Sequence, residues 1–359
     1  MVHKDISKFD NFCTFKIIKN DCNSYLKLFQ SNRNPVFSMC IMPYLALMCI
    51  EIQNAINVEL FESPYNTIFS DMRNSLKRFI DRYGKTSKTF SKTDEIQDAH
   101  FSGLLRFKAL SKLNIHLNLG IYFDALGNVI GNTQHLASIF DFNNIPGNDE
   151  KEKSYNLGYE LGRVISSVFN ILKDSFPDND NLILNQMHPI YYLDLNTNKN
   201  DTFWNNQYDK DVRLYILHLI SFIGFINNTL STLLPYDNLW LFRLRYISCY
   251  YCICGLNKLC LYVNDNVVRN IKTLIDESNT IFNSRFRGCM MHYSFTDTDG
   301  FCIKEDYFDL NIPLFGLVES CFFGKSFDKY NTELISLSEK IENLLKNQFN
   351  IDKNRLQLL

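Results

Sequence analysis

The residues best suited to chemistry lie in one short stretch, Ser284 to Ser294, which carries Arg285, Arg287 and His292. An arginine can hold a phosphate through two parallel N–H···O bonds, and a histidine titrates near neutral pH and can move a proton. The pair is suited to RNA cleavage, in which a ribose 2′-hydroxyl loses its proton as its oxygen attacks the adjacent phosphate. This chemistry needs no metal ion, so we expect neither a metal nor another cofactor at the site.

The spacing of arginine and histidine alone is weakly specific. The chain has thirteen arginines and seven histidines, for which random placement gives roughly 0.8 cases of an arginine followed by a histidine after four to six residues. Three cases occur: Arg285 and Arg287 each with His292, and Arg213 with His218. The last case lies at the start of an apolar stretch, which indicates an arginine at a helix start and a buried histidine.

Four long helices are predicted in the same part of the chain. They cover Asp209 to Leu233, Leu239 to Val263, Asp265 to about Arg285 or Tyr293, and Thr332 to Asn347. Their lengths and the short first connections predict an antiparallel four-helix bundle.

The apolar stripe of the third helix leads towards the candidate residues. Ile271, Ile275, Ser278 and Phe282 recur in steps of four and three, and further steps reach Arg285, Cys289 and His292. We therefore expect the seam that faces the bundle to become cationic at its far end. Arg287 lies about 140° round an ideal helix from His292, so it joins the same site only if Gly288 loosens the turn.

This arrangement resembles the HEPN superfamily, whose members are four-helix bundles with an Arg-x4-6-His motif late in the third helix. The stretch Phe286 to Tyr293 (FRGCMMHY) is similar to the Arg-Asn-x3-His-Tyr form that is common there. Arg287 and His292 would be the motif pair and Arg285 an alternative, with Gly288 where the family often has asparagine. The likeness extends over residues 209–350, and its specific part is the stretch Phe286 to Tyr293.

The resemblance implies a metal-independent endoribonuclease, often a homodimer with two motifs facing one cleft, and frequently a toxin or an antiviral defence effector. We expect a reaction that leaves a 2′,3′-cyclic phosphate, with His292 moving the proton and Arg287 and Arg285 stabilising charge on the phosphorane. The expected partners are RNA, as substrate, and a second copy bound through the C-terminal bundle. The alternative is a catalytically inactive helical scaffold, or a protein-interaction or RNA-binding module. If the residues serve only the fold, we expect Arg285 or Arg287 to pair with an acid such as Asp297 and His292 to satisfy a hydrogen bond in the core.

The first half of the chain predicts a mixture of helix and strand. Val36 to Leu60 is almost continuously apolar, as expected of a buried helix, and Lys85 to Asp98 is polar, as expected of an exposed loop. Leu113 to Phe123 alternates apolar and polar residues, which predicts a half-buried strand. Turn residues Asp124 to Asn128 follow, and Val129 and Ile130 could return as a partner strand.

These patterns predict a mainly α (α+β) fold: a helical region with a small antiparallel sheet, followed by the bundle. The polar segment Asn196 to Gln207 is the best candidate boundary. We therefore divide the chain into an N-terminal α+β domain of unknown role, residues 1–205, and a HEPN-like helical bundle, residues 206–359.

Composition and charge limit the class of protein. Hydrophobic content of 46% and aromatic content of 14% support a large core. The net charge of −2 gives no global field that attracts nucleic acid, so an RNA site must depend on a local patch. The longest apolar runs are shorter than the roughly 20 residues that span a bilayer, and no signal peptide is apparent. We expect a cytoplasmic protein with no membrane partner.

The eleven cysteines follow no disulfide or zinc pattern. Their number is odd and their spacing irregular, which indicates reduced and mostly buried thiols. Four of them, Cys249, Cys252, Cys254 and Cys260, lie in one apolar helix without a second cysteine or histidine pair at zinc-finger spacing. We expect this group to pack in the core.

Overall fold

Six helices form most of the described part of the first half of the protein. The computed structural model describes residues 9–32, 34–100, 117–140, 144–176, 182–205 and 207–359. The helices are α1 (Phe9–Ser31), α2 (Pro35–Ile56), α3 (Tyr65–Leu76), α4 (Tyr83–His100), α5 (Thr133–Ile139) and α6 (Glu150–Leu172). A 3-10 turn, Lys77–Ile80, follows α3 directly.

The buried helix predicted from Val36 is confirmed as α2. Its first residue is Pro35, which lacks the N–H that the first turn leaves unpaired. The side chain of Asn34 accepts bonds from the N–H groups of Val36 and Phe37, and Asn57 in the left-handed region ends the helix. Most residues of α2 are buried, among them its acidic residue, Glu51.

The prediction of an exposed loop at Lys85 to Asp98 is wrong, because these residues form most of α4. The helix is polar and lacks an apolar stripe. Its inner face is held instead by hydrogen bonds and an ion pair to residues distant in sequence. Asp94 is buried, accepts hydrogen bonds from Asn118 and Thr197, and forms an ion pair with Lys210 at 2.7 Å. Burial of this network, and of Phe90, holds the segment in place.

The predicted hairpin is confirmed as the centre of a four-stranded sheet. Strands β1 (Leu119–Phe123), β2 (Val129–Asn132), β3 (Tyr191–Leu195) and β6 (Gln357–Leu358) pair antiparallel in the order β2-β1-β3-β6. The side chain of Asp124 accepts bonds from the N–H groups of Leu126 and Asn128 in the turn between β1 and β2. Residues 113–116, the start of the predicted strand, lie outside the described residues.

The second half contains the predicted bundle. Its helices are α7 (Lys210–Phe225), α8 (Leu239–Leu259), α9 (Asp265–Ser278), α10 (Ser284–His292), α11 (Leu317–Cys321) and α12 (Phe327–Lys346). A π-helical turn, Ile226–Leu230, and a short helix, Ser231–Leu233, extend α7. Helices α8 and α12 pack on each other, and each also packs on α7 and on α9. A minor hairpin of β4 (Thr296–Asp297) and β5 (Gly300–Phe301) follows α10.

The prediction of one continuous third helix is wrong, because the chain breaks between α9 and α10. Helix α9 ends at Ser278, and the side chain of Asn283 then accepts a bond from the N–H of Phe286 to begin α10. An asparagine that bonds local backbone favours a helix start over a helix interior. The stripe of α9 therefore does not continue through Arg285, Cys289 and His292.

One hydrophobic core joins the two halves of the chain. Helix α1 packs on α8, α2 packs on α10, and β2 packs on α7. The chain end also returns to the first half, since β6 pairs with β3 and the N–H of Asn350 donates to the carbonyl of Phe203. The division into domains at residues 205 and 206 stays a prediction, as does the homodimer.

Among the described residues, two helical segments, Pro35–Ile56 and Lys210–Leu233, are long and apolar enough to cross a membrane by length and composition. Their most apolar windows are 83% and 78% buried inside the protein, as is usual for core helices. Localisation in the cytoplasm and the absence of a membrane partner stay predictions.

Most of the cysteines are buried, as the sequence predicted. All eleven belong to the described residues, and none of them forms a disulfide bond. Cys249 and Cys252 are buried in α8, which confirms core packing for these two, whereas Cys254 and Cys260 are partly exposed.

Candidate functional site

Helix α10 directs the three predicted site residues to three different neighbours. Phe286, Met290 and Met291 fill its buried face, and Tyr293 in the left-handed region ends it. Arg285 faces the hairpin after α10, Arg287 faces α8, and His292 faces α2.

Arg285 forms an ion pair with the hairpin. Its Nε donates to Asp297 at 2.6 Å, its Nη2 donates to the other carboxylate oxygen at 3.0 Å, and Asp299 lies 3.9 Å away. The hydrogen bonds from Arg285 hold the pKa of Asp297 below its usual value. This is the pairing with Asp297 that the sequence offered as the structural alternative.

Arg287 contacts an aromatic residue. Its Nη1 donates to the hydroxyl of Tyr250 on α8 at 2.7 Å, and its guanidinium lies 5.3 Å from the centre of that ring. Among the described residues, no carboxylate lies within ion-pair distance of Arg287. The 140° separation from His292 on an ideal helix is in keeping with these different contacts.

His292 pairs with a buried carboxylate from the first half of the chain. Its Nδ1 lies 2.8 Å from Oε2 of Glu51. The imidazole side chain is 47% exposed, whereas the Glu51 side chain is 1% exposed. One edge of the ring is therefore fixed by the protein while the rest is accessible from outside.

Arg73 completes the contacts of Glu51. Its Nε donates to Oε1 of Glu51 at 2.6 Å, and its Nη2 contacts the same oxygen. Burial alone would raise the pKa of the Glu51 carboxyl, but the hydrogen bond from His292 and the charge of Arg73 outweigh it and lower the pKa. An ionised carboxylate only accepts hydrogen bonds, so Nδ1 of His292 carries the proton. In a neutral imidazole, Nε2 then has the free lone pair.

A buried network anchors the end of α10 that carries His292. The guanidinium of Arg243 on α8 donates to the carbonyl of Met290 at 3.1 Å from Nε and from Nη2, and contacts Asp21 on α1 through Nη1. The Tyr293 hydroxyl donates to Asp21 at 2.7 Å, and the Thr14 hydroxyl donates to the Tyr293 carbonyl at 2.8 Å. The position of His292 thus depends on contacts from three helices.

A cleft of about 350 Å³ opens beside the histidine. Glu51 and Asn54, three residues apart on α2, line it together with His292. Thr14 and Ser294 contribute further polar groups. Asn54 is exposed, and its amide can both donate and accept hydrogen bonds. The cleft is therefore suited to a polar ligand placed next to the imidazole.

The structure also resolves the third arginine–histidine match. His218 is fully buried, and its Nδ1 lies 2.7 Å from the carbonyl of Leu214 one turn earlier. Arg213, in the first turn of α7, lies against the ring of Trp204. The prediction of a helix-start arginine and a buried histidine is confirmed.

Glu51 and Arg73 were not among the residues that the sequence analysis selected. The available signal was one acid, Glu51, within the long apolar run of α2. A charge in a core is stable only when it is paired. The sequence therefore indicated that Glu51 has a partner but did not identify that partner. In the described part of the chain, no group of three or more histidine, cysteine, aspartate or glutamate residues could hold a metal ion.

No protein-family model, curated protein or solved structure matches the chain. The likeness to the HEPN superfamily therefore rests on Phe286 to Tyr293 and on the place of this stretch beside a four-helix bundle.

Proposed function

We propose that the protein is a metal-independent endoribonuclease whose reacting group is His292. The observation that carries the proposal is the Glu51–His292 pair: a buried carboxylate fixes Nδ1 of a half-exposed imidazole beside a polar cleft. A carboxylate that holds the imidazole in one tautomer, with a lone pair on the other nitrogen, is the arrangement of a general base.

In the proposed reaction, Nε2 of His292 accepts the proton of a ribose 2′-hydroxyl. The freed oxygen attacks the adjacent phosphorus, the bond to the 5′-oxygen of the next nucleotide breaks, and a 2′,3′-cyclic phosphate forms. Protonated His292 then forms a closer ion pair with Glu51, which stabilises the imidazolium as it develops. The proton later returns to the leaving 5′-oxygen.

Among the described residues, Arg73 is a cation in direct contact with this pair. Its guanidinium contacts Glu51 and is partly exposed, so it can place positive charge close to a phosphate beside His292. A role for Arg287 or Arg285 in stabilising the phosphorane stays a prediction, since each has another partner in the structure.

The test is RNA cleavage by the purified protein in the presence of EDTA. Total RNA and tRNA are incubated with wild type and with His292→Ala, and we expect the variant to be slower by about 10²- to 10⁴-fold, the usual effect of one general base. The matched control is His188→Ala, because His188 is exposed and lies on another segment. Equal cleavage by wild type and His292→Ala, or none by either, contradicts the proposal.

A second variant tests the role of the carboxylate. Glu51→Gln keeps the size of the side chain and removes the charge that favours the imidazolium, so we expect slower cleavage and an altered pH profile. A 2′-deoxy substitution at the cleaved nucleotide should block the reaction, because it removes the nucleophile. Cleavage of the deoxy substrate would contradict the proposed chemistry.

A further inference from the structure

Helix α8 has one partly exposed face. Tyr250, Cys254 and Lys258 recur at intervals of four residues and therefore share one face of the helix. All three are partly exposed, whereas most of α8 is buried. Tyr250 and Lys258 are separated along the axis by about 12 Å, at 1.5 Å per residue.

Two cations from other segments, Arg287 on α10 and Lys77 in the turn after α3, lie near the two ends of this face. Arg287 on α10 donates to the Tyr250 hydroxyl at 2.7 Å. Lys258 donates through Nζ to the carbonyl of Phe79 at 2.6 Å, in the 3-10 turn that also carries Lys77. Cys254 lies between the two ends: burial raises the pKa of its thiol, and the charges of Lys258 and Arg287 both act to lower it.

These cations continue to the candidate site through Arg73. Arg73 is in the last turn of α3, and Lys77 follows four residues later at the end of that helix. Burial lowers the pKa of Lys77, the charge of Arg73 lowers it further, and the charge of Glu51 raises it. Arg73 in turn contacts Glu51, the partner of His292. Positive charge thus extends from the Glu51–His292 pair over the turn after α3 and along α8.

Few carboxylates face these cations. Across the described segments, Lys77, Lys258 and Arg287 have none within ion-pair distance. Asp81, whose charge reaches Lys258, pairs with Lys85 at 2.7 Å, and Glu51 is shared between Arg73 and His292. Like charges collected without counter-charges destabilise a fold slightly, and a bound polyanion removes that repulsion.

We propose that Lys77, Lys258 and Arg287 form a cationic strip, continued by Arg73 to the His292 cleft, that binds the phosphate backbone of single-stranded RNA. The proposal rests on the proposed function for its choice of RNA. It also assigns a use to Arg287, whose guanidinium contacts Tyr250 rather than the Glu51–His292 pair. In a protein of net charge −2, such a strip is the local patch that RNA binding needs. Tyr250, partly exposed at one end, could stack on a base.

The test measures binding separately from cleavage. The probe is a fluorescein-labelled single-stranded RNA in which every ribose carries a 2′-O-methyl group, so that no 2′-hydroxyl is available for attack. Its Kd is measured by fluorescence anisotropy from 50 to 300 mM KCl. We expect the triple variant Lys77→Gln/Lys258→Gln/Arg287→Gln to bind at least about 10-fold more weakly at low salt, with a log–log salt slope reduced by about 2, or roughly 0.7 for each lost contact.

The matched control removes the same amount of charge elsewhere. Lys151, Lys340 and Lys353 are exposed and lie on α6, on α12 and near the C-terminus, and their triple glutamine variant should keep the wild-type slope. Far-UV circular dichroism checks that both triple variants are folded. Equal weakening in the two triple variants, or no salt-dependent binding by the wild type, overturns the strip.

The outcome for the strip is distinct from that for the nuclease. Binding of the methylated RNA involves no proton transfer, so it reports on the strip cations without any cleavage. Loss of binding in the strip variant without any cleavage by the wild type would retain the strip and reject the nuclease. Cleavage that depends on His292, with RNA binding that does not depend on the strip cations, would retain the nuclease and reject the strip.

Discussion

Acid should destabilise the protein through two neighbouring histidines, His218 on α7 and His135 on α5. His218 is fully buried and lies against Phe90, with ring centres 3.9 Å apart. Its Nε2 has no hydrogen-bond partner within the described structure, and neither has Nδ1 of His135, whose ring centre is 5.4 Å away. Burial lowers the pKa of His218 from 6.5 to about 3, the hydrogen bond that its Nδ1 donates to the Leu214 carbonyl acts in the opposite direction, and the charge of Arg78 lowers the pKa further.

The sign of the effect follows from proton binding. Between pH 6.5 and pH 3 the unfolded chain protonates His218 and the folded protein does not, so stability falls as the pH falls through this window. With a folded pKa of about 3 and an unfolded value of 6.5, acidification from pH 7.5 to pH 5 lowers the free energy of unfolding by about 2 kcal/mol. His135 acts in the same direction, since burial and the neighbouring His218 lower its pKa well below the usual value.

The assay is urea unfolding at pH 7.5 and at pH 5, followed by circular dichroism at 222 nm. His218→Phe retains the ring contact with Phe90 and removes the titrating group. Ionisable groups away from His218 affect both proteins equally, so the loss of stability on acidification should be about 2 kcal/mol smaller in the variant. The exposed His188→Ala variant should behave as the wild type does. If wild type and His218→Phe lose the same amount of stability, His218 is not a buried neutral imidazole and the reasoning fails.

Two further predictions concern packing and a buried charge. A Cβ on Gly224 would lie 2.0 Å from the carbonyl oxygen of Val129, whereas one on Gly162 would meet nothing within 4 Å. Chemical denaturation should therefore show that Gly224→Ala lowers the free energy of unfolding by about 1–3 kcal/mol. Gly162→Ala should raise it by up to about 1 kcal/mol. If both alanine variants change stability alike, the close approach of β2 to α7 is contradicted. Arg243→Met leaves the Asp21 carboxylate buried without its cation, which should cost about 3–5 kcal/mol, and the double variant Asp21→Asn/Arg243→Met should recover part of that loss in the same measurement. Additive losses in the double variant would contradict the buried ion pair.

Sequence determined those features of the fold that depend on local periodicity. Alternation towards Phe123 followed by turn residues predicted the hairpin, and the apolar helical stretches predicted the bundle helices α7, α8 and α12. His218 was recognisable as buried because it lies in a helix that is apolar nearly all round. In each case, neighbours a few residues apart carry the signal, so a single sequence contains it.

Tertiary structure alone decided which partners the charged residues have. Glu51 and His292 are 241 residues apart, and no periodic pattern connects them. Helix α4 is a second case. Its polar sequence predicted a loop, whereas the buried contacts of Asp94 with distant residues hold it in the structure as a helix. A charge in the core must be paired whatever its position in the chain. The apolar residues around it in the sequence show that it needs a partner, but only the folded structure shows which residue the partner is.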